Sequence, residues 1–272
     1  MFGEILQPLV PWIPHFIVFL FGIRYLFRPW FGFIQNRIDA QTTVEIIDGA
    51  HYPLPDAFRK RVDRVRDELD SLGFVPHLEY CYSITQNSET IRFVFVNPQS
   101  RRSASVIGVL GATRFGQRLV QVFTVISSVY LLPGRPILQT TNENEGGVAV
   151  LPLMPSDINC RFPHVSEVRR LLMLHERLEA RHFPDAHTDL PTLRMTPDES
   201  CEFAEARIRT LMEHWLAIGC IQRIPGSTAY RLPLWTIYKM CWGGSLYLGP
   251  ILKCFRCRRS RQLEQDLLKT PD

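Results

Sequence analysis

Residues 76–141 read PHLEYCYSITQNSETIRFVFVNPQSRRSASVIGVLGATRFGQRLVQVFTVISSVYLLPGRPILQTT. β-branched and aromatic side chains crowd into the stretches Pro76 to Ile84, Thr90 to Val96, Ala104 to Leu110, Leu119 to Tyr130 and Pro136 to Thr141. Turn formers separate them: Gln86-Asn87-Ser88, Asn97-Pro98, Gly111 to Gln117 and Pro133-Gly134. Such runs read as strands, with the chain reversing at each break. The connections are too short for crossover helices, so an antiparallel meander of about five strands is expected.

Working outward, the periodicity changes from two to about 3.6. Asp56 to Leu72 carries Phe58, Val62, Val65, Leu69 and Leu72, one helical stripe that Gly73 stops. Its other face mixes Arg59, Lys60, Arg61 and Arg64 with Asp63, Asp67 and Glu68, the pattern of a solvated surface. Val165 to His182 is a second helix, with Val168, Leu171, Leu172, His175, Leu178 and His182 near one stripe. A third begins at Thr196-Pro197-Asp198-Glu199. Thr196 suits the N-cap, Pro197 the first helical position, and Glu199 the closing of a capping box. Ala204, Ile208, Leu211, Trp215 and Ile218 carry this helix to Gly219. Ile221 to Leu232 reads as a hairpin turning at Pro225-Gly226-Ser227. One helix before the sheet, then two helices and a hairpin after it, make an α+β domain over residues 56–231.

Composition agrees with a folded protein: 272 residues, 46% hydrophobic and 21% charged, with net charge +4. That charge is too small to demand nucleic acid. The helix at 197–218 with its hairpin has a helix-plus-wing outline, but it exposes Glu199, Glu202, Glu205 and Glu213. Phosphate repulsion then argues against a nucleic-acid partner. Seven cysteines, an odd number without framework spacing, argue against a disulfide scaffold.

The ends differ from the middle. Ile5 to Ile23, ILQPLVPWIPHFIVFLFGI, has no charge across 19 residues, long enough for a kinked membrane span despite Pro8, Pro11 and Pro14. Residues 1–34 are therefore expected to anchor the chain through Trp12, Phe16, Phe19, Phe21 and Trp30. Arg24, Arg28 and Arg37 follow the segment, which predicts a cytoplasmic main domain. A polar linker is expected at 35–55. Leu232 to Leu252 is apolar apart from Lys239, and a basic cluster follows directly. Residues 232–272 are expected to lie on the cytoplasmic leaflet, anchored by Trp235 and Trp242. Lys253, Arg256, Arg258, Arg259 and Arg261 would meet anionic lipid headgroups. The competing reading docks this segment on the domain as a hydrophobic helix.

Motifs for chemistry are weak. His175, Glu179 and His182 share one helix face, but the pattern is not His-Glu-x-x-His and no further metal ligands accompany it. Cys254-Phe255-Arg256-Cys257 lacks a second ligand pair, so inert thiols are expected. Gly108, Gly111 and Gly116 lack the helix that a phosphate loop requires, and Gly111 and Gly116 read as turn residues. No catalytic triad is visible, so no cofactor, metal or catalytic residue is expected. The sequence therefore predicts a membrane-associated binding or scaffold module, with membrane lipids and an unidentified protein as partners. The first alternative is an enzyme acting on a lipid or apolar small molecule through His175 and hydroxyls near Thr140 and Thr141. The second is a soluble protein whose apolar ends form a core or an interface.

Overall fold

Side-chain alternation across the strands decides the architecture. The computed structural model describes residues 12–22, 30, 33, 37–39, 42–113, 116–132, 135–143, 152–184, 186–243 and 248–269. In chain order the elements begin with α1 (Trp12–Gly22), β1 (Val44–Ile46) and α2 (Asp56–Asp70). The sheet continues with β2 (Val75–Thr85), β3 (Ser88–Asn97), β4 (Arg102–Thr113), β5 (Gly116–Tyr130), β6 (Ile137–Thr141) and β7 (Ile158–Arg161). Then follow α3 (Val168–His182), β8 (Thr188–Asp189), α4 (Pro197–Ala217), β9 (Gln222–Arg223), β10 (Tyr230–Arg231), α5 (Leu234–Gly243) and α6 (Leu248–Lys269). The fold is α+β with a mixed sheet.

Spatial order in the sheet follows the chain from β1 to β7, with β8 pairing on β5. Neighbours are antiparallel up to β6, and β7 lies parallel to it, Leu138 opposite Ile158 and Thr141 opposite Arg161. The expected sheet of five antiparallel strands is thus extended at both edges. β1 occupies the stretch expected as linker, pairing Val44 with Tyr82. The parallel strand is allowed because residues 142–157 give the chain room to cross back. The hairpin of β9 and β10 is present, and Ile38 bridges both Thr85 and Tyr230, joining it to the main sheet.

One face of the sheet is packed by α2 and α3. Phe58, Val62, Val65 and Leu69 from α2 and Val168, Leu171, Leu174 and Leu178 from α3 are all buried there. They meet Ile91, Phe93 and Phe95 of β3, Val106 and Leu110 of β4 and Leu138 of β6. α2 ends as expected: Gly73 has φ +78°, and Phe74 N–H donates to the Leu69 carbonyl, a turn that a Cβ would strain. At α4 the capping box is complete, with Thr196 and Glu199 satisfying each other's backbone amides. Gly108 lies within β4, as the expected strand Ala104 to Leu110 places it, and a Cβ there would stand 2.7 Å from the Phe58 ring. Gly111 also lies in β4, paired with Arg118.

The ends depart most from expectation. α1 has 11 residues, about 16 Å of helix against the roughly 30 Å of a hydrocarbon core. No helix among the described residues is long and apolar enough to cross a membrane. Residues 1–11 and 23–29 lie outside the described residues. At the other end Leu232 and Ile237 join a cluster with Met212, Trp215 and Ile221. Leu267 of α6 enters the main core, and Leu263 packs against it.

Candidate ligand cavity

The sheet's second face is also apolar. Residues alternating with the α2/α3 set, Leu78 and Tyr80 of β2, Val94 of β3, Ile107 of β4 and Val125 of β5, point to it. α4 lies across this face and presents Phe203, Ala204, Ile208 and Leu211. Helix and sheet do not close completely. Between them is a partly enclosed cavity of about 340 Å³, within the size range of small-molecule sites.

A few polar groups enter this apolar space. At one end Arg207 of α4 is ion-paired with Asp157, which also accepts from the Ile137 amide at 3.3 Å. At the other end stands Arg92 of β3. Its Nε donates to Ser105 Oγ at 3.0 Å and its Nη1 to the Tyr80 hydroxyl at 3.2 Å. Among the described residues no carboxylate pairs with it. Burial works against its charge, yet the Tyr80 and Tyr82 oxygens outweigh this and hold the proton more firmly. Burial pushes the Tyr82 hydroxyl up to about 12, and it pulls the His77 imidazole below its ordinary value. His77 Nε2, Asn159 Oδ1 and Ser200 Oγ, from three cavity-lining residues, are buried without a hydrogen-bond partner. Buried polar atoms are ordinarily satisfied, so these orphans favour a ligand carrying polar atoms.

The His175 region is built differently. His175 is fully buried on α3, on the sheet face away from the cavity. Its Nε2 lies 2.9 Å from Ser128 Oγ, and its Nδ1 lies 2.9 Å from Thr140 Oγ1. Ser128 donates to the Glu179 carboxylate through a short hydrogen bond. Arg102 also holds Glu179, through Nε at 2.9 Å, and Glu176 through Nη1 at 2.7 Å. Burial lowers the imidazole pKa, so the ring is neutral. Glu179 can only accept from Ser128, so Ser128 accepts from His175 Nε2–H and Thr140 donates to Nδ1. Burial alone would raise the Glu179 carboxyl, but the adjacent His175 ring and the hydrogen bonds from Arg102 and Ser128 bring it down to about 2.

Serine, histidine and glutamate are therefore in contact without forming a hydrolytic triad. In a triad the carboxylate orients the histidine nitrogen remote from the nucleophile. Here Thr140 occupies that nitrogen, the carboxylate binds the serine, and Ser128 is fully buried. This is a satisfied polar core. The expected grouping of His175 with both threonines is corrected by strand geometry: Thr140 bonds His175, whereas Thr141 lines the cavity.

The residues expected at a membrane are distributed as follows. Phe16 and Phe19 are about 60% exposed on α1, Trp30 is 49% exposed and Trp235 is 59% exposed. The side chains of Trp12, Phe21 and Trp242 lie outside the described residues. Lys253, Arg258, Arg259 and Arg261 are exposed on α6 and Arg256 is half-buried, so the basic cluster is helical. Cys254 and Cys257 are free thiols there. No group of three metal-capable side chains occurs among the described residues.

Sequence reasoning missed Arg92, Tyr80, Asp157, Asn159, Ser200 and Arg207. A signal was present, because Leu78, Tyr80 and Tyr82 are apolar or aromatic at the positions alternating with the core set. A sheet apolar on both faces requires a cover on both.

The fold and the cavity define an α+β protein with a mixed sheet, packed by two helices on one face and bridged by a third on the other. Compared with known proteins, the chain matches no family model, no curated protein and no solved structure.

Proposed function

We propose that this protein is a non-enzymatic binding module that holds a largely apolar small molecule carrying a polar group in the cavity beneath α4 and works against a membrane surface. The cavity carries this reading: an apolar space with convergent polar groups is the usual form of a small-molecule site. The sealed His175 network supports a module over an enzyme, since its hydroxyls have no open approach for a substrate. Exposed aromatics on α1 and exposed arginines on α6 favour contact with an anionic lipid surface. The packing of Leu263 and Leu267 on the core favours a docked α6, so the basic cluster would meet lipid from a fixed helix.

The test uses the neutral fluorophore N-phenyl-1-naphthylamine with the full chain. Fluorescence should rise on binding, and the rise should be lost in Ala204→Trp, whose indole fills the space under α4. Absence of binding, or equal binding by a folded Ala204→Trp variant, would overturn the reading.

A further inference from the structure

The two arginines of the cavity are in opposite states. Arg207 is neutralised by Asp157. Arg92 faces the same space with only a serine and a tyrosine as hydrogen-bond partners. Arg92 is partly buried, and a cation lining a mostly apolar space without a counter-charge is costly; the orphaned Ser200 Oγ, on a residue 4% exposed, lines the same cavity. Guanidinium carries five N–H donors, of which two are used here. The remaining donors on Nη1 and Nη2 form the fork that matches a carboxylate. Tyr80 accepts from Arg92 and so keeps its own hydroxyl hydrogen to donate to the same anion.

From this juxtaposition we infer that the cavity takes a medium-chain carboxylic acid as its anion, with the carboxylate on Arg92 and Tyr80 and the chain between the sheet and α4. This rests on the reading of the cavity as a ligand site. One unpaired cation matches one negative charge, whereas a phosphomonoester carries about −1.5 to −2 near neutral pH. At roughly 30 Å³ per water-sized group, the 340 Å³ cavity holds about eleven non-hydrogen atoms. An acid of about eight to ten carbons has that size.

Calorimetric titration of the full chain with decanoate and with decanol tests the assignment. Decanoate should bind about tenfold or more tighter than decanol, as expected for a charge-assisted pair. Arg92→Gln should reduce decanoate to the level of decanol and leave decanol unchanged, while Arg92→Lys should keep part of the preference. Equal binding of acid and alcohol would overturn the carboxylate assignment and leave the cavity reading intact. Binding of neither would overturn both. The comparison on the unsubstituted protein decides the matter even if the Arg92 variants fail to fold.

Discussion

Thr140 and Thr141 are neighbours in the chain and face opposite sides of the sheet: Thr140 Oγ1 is bonded to the buried imidazole of His175, and Thr141 lines the cavity beneath α4. One β-strand therefore serves two separate interiors, a sealed polar core under α3 and an open cavity under α4. A substitution at either position probes one of them.

The sealed side is sensitive to acid. The imidazole of His175 is harder to protonate in the folded chain than its ordinary value of 6.5. The unfolded chain therefore binds a proton that the folded chain refuses as pH falls below about 6.5, and stability declines. Glu179 adds a loss of the same sign between its ordinary value of 4.5 and its folded value of about 2. Urea melts at several pH values should show a shallower decline between about pH 6.5 and 5 in His175→Leu than in the parent. Identical slopes would remove His175 as the cause.

Gly108 packs against Phe58 with no space for a methyl group. Gly108→Ala is expected to cost about 1–3 kcal/mol, a fall of several degrees in Tm. Adding Phe58→Leu should recover part of the loss, because the two sites are in contact. Strict additivity in thermal melts would show that the ring is not the obstacle.

Glu264 anchors α6. Its carboxylate accepts from His164 Nε2 at 2.7 Å and from Arg170 Nε at 2.7 Å. Arg170 is half exposed, so its share is screened. Glu264→Leu is expected to cost about 1–3 kcal/mol and to speed amide exchange first in residues 253–269. Uniform acceleration across the sheet would argue against a locally held helix.

The proposed membrane contact would divide between two surfaces. Flotation with vesicles containing phosphatidylserine should recover the full chain at low salt. Charge reversal of Lys253, Arg258, Arg259 and Arg261 should remove most of the salt-sensitive fraction. Phe16→Asp with Phe19→Asp should remove the salt-resistant fraction. Failure of the unsubstituted chain to float would end the membrane proposal.

Where long patterned segments decide the structure, the sequence was a good guide. α2, α3 and α4 follow from their apolar stripes, and Thr196 and Glu199 mark a helix start within a residue. β1, β7 and β8 have three, four and two residues, too few for alternation to show. Arg92 was hidden for another reason. A polar residue on an alternating strand ordinarily faces water, and only α4, more than a hundred positions later, turns that face into an interior.

The docking of α6 has a consequence for the order of folding. Leu267 completes a core whose other members begin at Phe58, and Glu264 satisfies His164 and Arg170. During synthesis, every strand of the sheet leaves the ribosome before the helix that seals this side. The nascent domain must wait with part of its core uncovered. A stalled or prematurely ended chain would thus leave that apolar face open, the condition in which newly made proteins depend most on chaperones.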